Sequence, residues 1–146
     1  MKICIVGSYK WKDEDIITAK ELITQIFDVL QECDPITIIS GECPKGGVDI
    51  WAKEEALERN MDYKGYFPEK NSKPYYMKRN RQLATDCDAL IRIASQASTT
   101  YGSGITMKWA AEQKKPFYNI IVANYINTDE IKKGIRKILD SITERK

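Results

Sequence analysis

A chain of 146 residues with 42% hydrophobic and 30% charged side chains fits a single soluble globular domain over residues 1–146, and no apolar run approaches a membrane span. The net charge of +2 is too small for a dedicated nucleic-acid binder, which concentrates basic residues on one face. The chain has no histidine, which excludes a histidine base, a catalytic triad and a histidine-ligated metal. We predict no metal site and no cofactor.

Strand-like and helix-like segments alternate along the chain, a pattern that predicts parallel strands joined by right-handed crossover helices. The predicted strands cover residues 2–6, 36–40, 62–66, 89–93 and 117–122. The predicted helices cover residues 13–31, 48–59, 73–85, 104–114 and 128–144. Short apolar strands are typical of a sheet covered on both faces. The sequence therefore predicts an α/β fold of three layers, doubly wound, with a five-stranded parallel sheet in the order 3-2-1-4-5.

Two further features concern the ends and connections of these elements. Asp13 and Thr128 are predicted to cap the first and last helices. Residues 68–74 form the one long polar break, which is either a lid over a ligand or a solvated connection.

The cysteines and the first residues bear on the cellular compartment. The four cysteines lack the close paired spacing of zinc sites and redox motifs, so free thiols in a reducing compartment are expected. Residues 1–7 enter a strand-like run at once and lack the apolar region of a signal peptide. These features favour the cytoplasm.

Three glycine-bearing turns each follow an apolar strand: residues 7–8, 41–49 and 102–104. A glycine lets the backbone approach a ligand closely, and a helix that begins after it points unpaired N–H groups at an anion. In a doubly wound sheet, ligands bind outside the carboxyl ends of the strands where the strand order reverses. We therefore expect a phosphate site here, with Gly102-Ser103-Gly104 as its centre and Gly102 as a candidate for positive φ.

The order of these motifs resembles the SLOG superfamily of Rossmann-like domains. The matching segments are Gly7-Ser8, Ser40 to Ala52, Arg79-Asn80, Asp88 to Ile91 and Thr100 to Ser103. This superfamily includes the lonely-guy phosphoribohydrolases and the DNA-processing Smf proteins, and its small YspA-like branch is the best match. The resemblance extends from about residue 2 to 122. It implies a Rossmann-like fold that binds a nucleotide or a nucleotide-derived small molecule.

The resemblance also implies a set of ligand-binding residues in the glycine turns and the Arg-Asn motif. These are Gly7, Ser8, Tyr9, Gly41, Gly47, Arg79, Asn80, Thr100, Gly102, Ser103 and Gly104. Arg79 is expected to lie outside the core and to pair with a phosphate bidentately through its guanidinium group. Tyr9 and Trp11 are the candidates for stacking on a base, whereas Trp51 and Trp109 are expected to pack within the fold.

Glu42 and Asp49 are the candidate catalytic residues. Glu42 lies inside the second glycine turn and is either a general acid or base or an exposed turn residue. Asp49 either complements a helix dipole, binds a ribose hydroxyl or assists bond cleavage. Cys43 lies in the same turn, where a helix N-terminus can lower a thiol pKa, although a small packing residue is the favoured interpretation.

Lonely-guy enzymes carry a glutamate on the helix after the third turn, but here that helix reads Gly104-Ile105-Thr106-Met107-Lys108. The missing acid favours a sensor or ligand-binding domain over an N-glycosidic hydrolase or transferase. Single-stranded DNA binding through residues 70–81 is a third hypothesis, against which the mild charge counts. The expected partner is thus a nucleotide-type ligand, with no membrane and no nucleic acid, and a homo-oligomer stays open.

Overall fold

Five parallel strands form the centre of the computed structural model, which describes residues 1–33, 35–96, 101–123 and 126–144. The strands are β1 (Lys2–Gly7), β2 (Thr37–Ser40), β3 (Asp62–Gly65), β4 (Ala89–Ser95) and β5 (Phe117–Val122). The helices are α1 (Asp13–Glu32), α2 (Val48–Glu58), α3 (Lys73–Asp86), α4 (Tyr101–Glu112) and α5 (Thr128–Glu144). The sheet order is β3-β2-β1-β4-β5, which confirms the predicted doubly wound α/β fold.

The central strand β1 pairs with β2 on one side and with β4 on the other. Beyond β1 the chain moves outward in opposite directions, to β3 at one edge and to β5 at the other. The strand order therefore reverses between β1 and β4, whose pairing continues to Gly7 and Ile93. This point, at the carboxyl ends of the strands, is where a doubly wound sheet forms its ligand crevice.

Two hydrophobic cores lie on opposite faces of the sheet because alternate residues of a strand point to opposite sides. The larger core joins Ile3 and Ile5 of β1 to buried side chains of α1, α2 and α5. The smaller core joins Cys4 and Val6 of the same strand to α3 and α4. The predicted three layers are therefore present, with α3 and α4 alone on one face.

The helix caps differ from the sequence prediction. Lys12 precedes α1, and Asp13 is its first residue, where it complements the helix dipole instead of capping it. At α5, the side-chain oxygen of Asn127 accepts a hydrogen bond from the N–H of Glu130 at 3.1 Å. Asn127 therefore acts as the cap in place of Thr128, because its carboxamide reaches the third helical N–H.

The start of α4 also differs. This helix begins at Tyr101, three residues before the predicted start, so residues 102–104 form its first turn instead of a turn that precedes it. Positive φ occurs at Gly46 and Gly47 among the described glycines, so the expectation of positive φ at Gly102 is wrong.

The described residues contain no disulfide bond. All four cysteines are free thiols, with Cys4 and Cys87 buried and Cys33 and Cys43 half-buried. Within the described ranges, every helix is too short or too polar to cross a bilayer.

Candidate functional site

A cleft of about 190 Å³ opens where the strand order reverses; we call it the switch-point cleft. Seven residues predicted from the sequence line it: Gly7, Tyr9, Asp49, Arg79, Asn80, Gly102 and Ser103. They come from the end of β1, the start of α2, the middle of α3 and the start of α4. Tyr76, Leu83 and Thr106 also line it and were not predicted. Helical spacing from Arg79 to Tyr76 and Leu83 is the sequence signal that relates these residues.

Five other predicted residues, Ser8, Gly41, Glu42, Gly47 and Gly104, do not line the cleft, and Thr100 lies outside the described residues. The contacts of Ser8, Gly41, Glu42 and Gly47 explain why these residue types are found there.

Arg79 is buried, contrary to the expectation that it lies outside the core, with 9% of its surface exposed. Its Nη1 donates to the carbonyl oxygens of Gly41 and Tyr66, the latter at 3.2 Å, and its Nε donates to Oδ1 of Asn80 at 2.8 Å. A Cβ on Gly41 would lie 2.9 Å from Cζ of Arg79, so this glycine makes room for the guanidinium group. Only Nη2 has no hydrogen-bond partner among the described residues, which leaves it available to a ligand.

Gly7 and Gly47 are also explained by contacts within the protein. A Cβ on Gly7 would collide with the carbonyl oxygen of Ile93 on the neighbouring strand. Gly47 has φ +83°, and a Cβ there would collide with the carbonyl oxygen of Ser8. These glycines let the first two turns pack against each other and against β4. Their role as sites of close ligand approach is therefore not required to explain them.

Ser8 stabilises the turn after β1 without lining the cleft. Its hydroxyl accepts a hydrogen bond from the N–H of Ser95 at 3.0 Å, and its carbonyl accepts one from Nε1 of Trp11 at 2.7 Å. Trp11 also packs against Trp51 with ring centroids 5.6 Å apart. Trp11 is therefore engaged by the protein and does not line the cleft, whereas Tyr9 does.

Glu42 turns away from the cleft. Its carboxylate forms an ion pair with Lys53 and lies against Gly65 of β3, where a Cβ would collide with it. Its side chain is only 8% exposed. Glu42 is therefore not an exposed turn residue, and it does not line the cleft.

Asp49 is the one carboxylate among the described residues that line the cleft. Its Oδ2 accepts a hydrogen bond from the N–H of Cys43 at 3.3 Å. Burial raises the pKa of this carboxyl to about 6, against the opposing effects of Arg79 and the Cys43 N–H. A carboxyl with a pKa near neutrality can accept or donate a proton in this cleft. Burial also raises the pKa of the Cys43 thiol, so a reactive thiolate is not supported.

The first turn of α4 forms part of the cleft wall. The hydroxyl of Ser103 accepts a hydrogen bond from Nε of Arg92 at 3.0 Å, and Thr106 Oγ1 donates to the carbonyl of Gly102 at 2.8 Å. A Cβ on Gly102 would meet only Nδ2 of Asn80, at 3.6 Å. Of the two glycines that line the cleft, Gly102 is therefore the one whose missing side chain leaves space for a ligand.

A second cavity of about 670 Å³ adjoins the cleft between α3 and α4; we call it the α3–α4 groove. It shares Tyr76, Asn80 and Gly102 with the cleft, and Met77 and Ile105 give it an apolar wall. Residues 71–73, in the polar break that the sequence left as a lid or a solvated connection, lie along its rim. The switch-point cleft therefore opens into a larger and more apolar groove.

Comparisons with known proteins add little. No protein-family model and no curated protein matches the chain. Among solved structures, it is similar to the crystal structure of phenylacrylic acid decarboxylase from Aquifex aeolicus, with a TM-score of 0.33 and 12% identity. The match covers 97% of this chain and 94% of that chain. A likeness at this level carries no argument about activity.

Proposed function

We propose that the protein binds a nucleotide or a nucleotide-derived small molecule in the switch-point cleft. The observation that carries the proposal is the uncommitted Nη2 of a buried arginine in a cleft at the point where the strand order reverses. A guanidinium group forms strong charge-assisted hydrogen bonds to phosphate oxygens. The SLOG resemblance agrees with this class of ligand.

Three residues that line the cleft carry the donors that we assign to the anionic group. Nη2 of Arg79 supplies the charge. The amide of Asn80 accepts from Arg79 through Oδ1, and its Nδ2 has no hydrogen-bond partner among the described residues. The hydroxyl of Ser103 adds a third donor beside the first turn of α4. Helix starts favour anions because their first N–H groups have no partner within the helix.

The α3–α4 groove supports a place for the base. Its apolar wall and the ring of Tyr76 suit a flat, largely apolar group, and it opens directly from the phosphate position through shared residues. The Tyr76 ring also lies under the guanidinium group of Arg79, with Cζ 5.5 Å from the ring centroid. A nucleotide would thus place its phosphate in the cleft and its base in the groove.

Turnover is the second candidate function, and Asp49 is the observation that favours it. A buried carboxyl with a pKa of about 6 suits general acid or base assistance to N-glycosidic cleavage. No second carboxylate lines the described part of the cleft, and Glu42 is paired with Lys53. We therefore favour a sensor or ligand-binding role. Release of free base from nucleoside monophosphates, abolished by Asp49→Asn, would reverse that preference.

The decisive test uses two glycines of the same helix. Gly102→Ala adds a methyl group at the junction of the cleft and the groove, whereas Gly104→Ala adds one next to Arg92, outside the lining. Calorimetry with a panel of nucleoside 5′-monophosphates should show affinity at least about tenfold weaker for Gly102→Ala, because the added methyl group would occupy space that the ligand needs. A tenfold loss corresponds to a steric conflict of about 1.4 kcal/mol. Gly104→Ala should bind as the wild type does. Equal binding by both variants, or no binding by the wild type, would refute the proposal.

A further inference from the structure

Arg92 is an unusual residue in its position. It is the one charged residue of β4, and it pairs in register with Val6 of β1 and Asn119 of β5. Helix α4 covers this face of the strand and leaves Arg92 half-buried. Arginine is rarely placed in a covered strand of a parallel sheet, because its charge loses contact with water.

The partners of Arg92 are neutral. Its Nε donates to the hydroxyl of Ser103 and its Nη1 donates to Oδ1 of Asn119, both at 3.0 Å. None of the ion pairs within the described residues involves Arg92. Burial lowers its pKa, and no neighbouring charge contributes to the change. A positive charge is thus held behind the cleft wall without a compensating carboxylate, an arrangement that costs stability.

The hydrogen bond from Arg92 determines what Ser103 can do. A hydroxyl that accepts through its oxygen still has its own hydrogen to donate. Ser103 is 8% exposed and lines the switch-point cleft. Arg92 therefore keeps the Ser103 hydroxyl in the donor orientation toward a cleft ligand and places a full positive charge one hydroxyl group behind it.

We propose that Arg92 is a positioning residue that makes the switch-point cleft selective for a phosphate ester over its neutral counterpart. The inference rests on the proposed function, since the phosphate belongs to a nucleotide-type ligand. Arg92 acts through Ser103 and through its charge, because a charge about 5 Å from an anion in a partly buried site is weakly screened. The selectivity comes from Arg92 in addition to the direct contact of Arg79.

A purely structural role makes a different prediction. Arg92 also connects the first turn of α4 to β5 through Ser103 and Asn119. If that connection were its whole function, a neutral hydrogen-bonding side chain would weaken the binding of charged and neutral ligands alike. The ratio of the two affinities therefore separates the roles.

The experiment compares Arg92→Gln, Arg92→Lys and Arg136→Gln. Glutamine keeps a donor for Ser103 without charge, and lysine keeps the charge. Arg136 lies on α5, on the opposite face of the sheet, and forms an exposed ion pair with Glu32 of α1. Arg136→Gln therefore removes an equal charge far from the cleft wall that Ser103 forms. Dissociation constants are measured for a nucleoside 5′-monophosphate and for the matching nucleoside, and urea unfolding checks that each variant is folded.

We expect Arg92→Gln to lose roughly tenfold or more of the preference for the monophosphate, with nucleoside affinity within about twofold of the wild type. Arg92→Lys should keep most of the preference, and Arg136→Gln all of it. An unchanged preference in Arg92→Gln would overturn the proposal.

Titration with inorganic phosphate, followed by phosphorus NMR, separates this proposal from the proposed function. If the wild type binds no nucleotide but binds phosphate, and Arg92→Gln does not, the role of Arg92 stands while the nucleotide assignment fails. If phosphate binds equally to both proteins, or if neither protein binds phosphate or nucleotide, the role of Arg92 is refuted.

Discussion

Arg79 shows how a residue selected for ligand binding can also hold the fold together. Replacing it with alanine leaves the carbonyls of Gly41 and Tyr66 without their donor and opens a cavity over the Tyr76 ring. We expect the free energy of unfolding to fall by about 2–5 kcal/mol, measured by urea denaturation. The exposed Arg136→Ala variant, which loses an ion pair at 3.6 Å, should lose less than about 1 kcal/mol. Equal stability of Arg79→Ala and the wild type would contradict these contacts.

Asp49 predicts a pH dependence of stability. Burial raises the pKa of its carboxyl from 3.8 to about 6, so the folded protein holds this proton more tightly than the unfolded chain. Its contribution is most favourable below about pH 4 and is lost as the pH rises through 6. Asp49→Asn should therefore be more stable than the wild type at pH 7, by up to about 3 kcal/mol at 1.36 kcal/mol per pKa unit.

The Asp49 prediction is checked by urea unfolding between pH 4 and pH 8. The stability difference between Asp49→Asn and the wild type should grow across this range. The exposed Asp140→Asn variant removes the same charge from the surface and is the matched control. A constant difference for Asp49→Asn would mean that the carboxyl is not held in its protonated form by burial.

Arg79 and Arg92 show what could and could not be predicted from single residues of the sequence. The Arg-Asn motif led to Arg79. The neighbouring sequence does not indicate that its Nη1 donates hydrogen bonds to the carbonyl oxygens of Gly41 and Tyr66, at the ends of two strands. Arg92 was recognisable as a charge inside an apolar strand, yet its contact with Ser103 depends on how α4 crosses β4. Such contacts join residues distant in sequence, so they require the tertiary structure.

At the scale of the element, two helix glycines predict stability changes of opposite sign. Glycine inside a helix costs about 0.5–1 kcal/mol relative to alanine. A Cβ on Gly104 of α4 makes an ordinary contact with Arg92 at 3.7 Å, whereas one on Gly134 of α5 would collide with the ring of Tyr118. Gly104→Ala should raise the free energy of unfolding by that amount, and Gly134→Ala should lower it. Changes of the same sign in urea denaturation would contradict this packing.

Element boundaries were predictable where patterning was strong. The bounds of α5 agree with the prediction because its apolar residues follow the helical period. Those of β5 agree because the strand begins directly after Pro116 and is rich in β-branched and aromatic residues. The start of α4 was missed because two glycines in three residues favour a turn. Tertiary packing overrides that preference here, and Gly102, Ser103 and Gly104 therefore lie in the first helical turn instead of in a loop.

At the scale of the whole molecule, strand-helix alternation was enough to predict the sheet order, and the sheet order was enough to predict where a cleft forms. The glycine turns also led to that edge, but three of their glycines, Gly7, Gly41 and Gly47, are explained by contacts within the protein. The identity of a ligand depends on side chains from β1, α2, α3 and α4 together. Their relative positions follow from packing on both faces of the sheet, which a sequence pattern does not specify.

Trp11, which packs against Trp51 at a tilt, should report ligand binding in the cleft through its intrinsic fluorescence. The Trp11 indole donates to the carbonyl of Ser8, the residue before Tyr9, and Tyr9 lines the cleft. A ligand that contacts Tyr9 should alter this hydrogen bond and shift the intrinsic fluorescence of the indole. Titration with a nucleoside monophosphate should change the emission of the wild type and of Trp109→Phe, but not that of Trp11→Phe. Constant wild-type emission under conditions where calorimetry detects binding would show that the turn after β1 does not respond to the ligand.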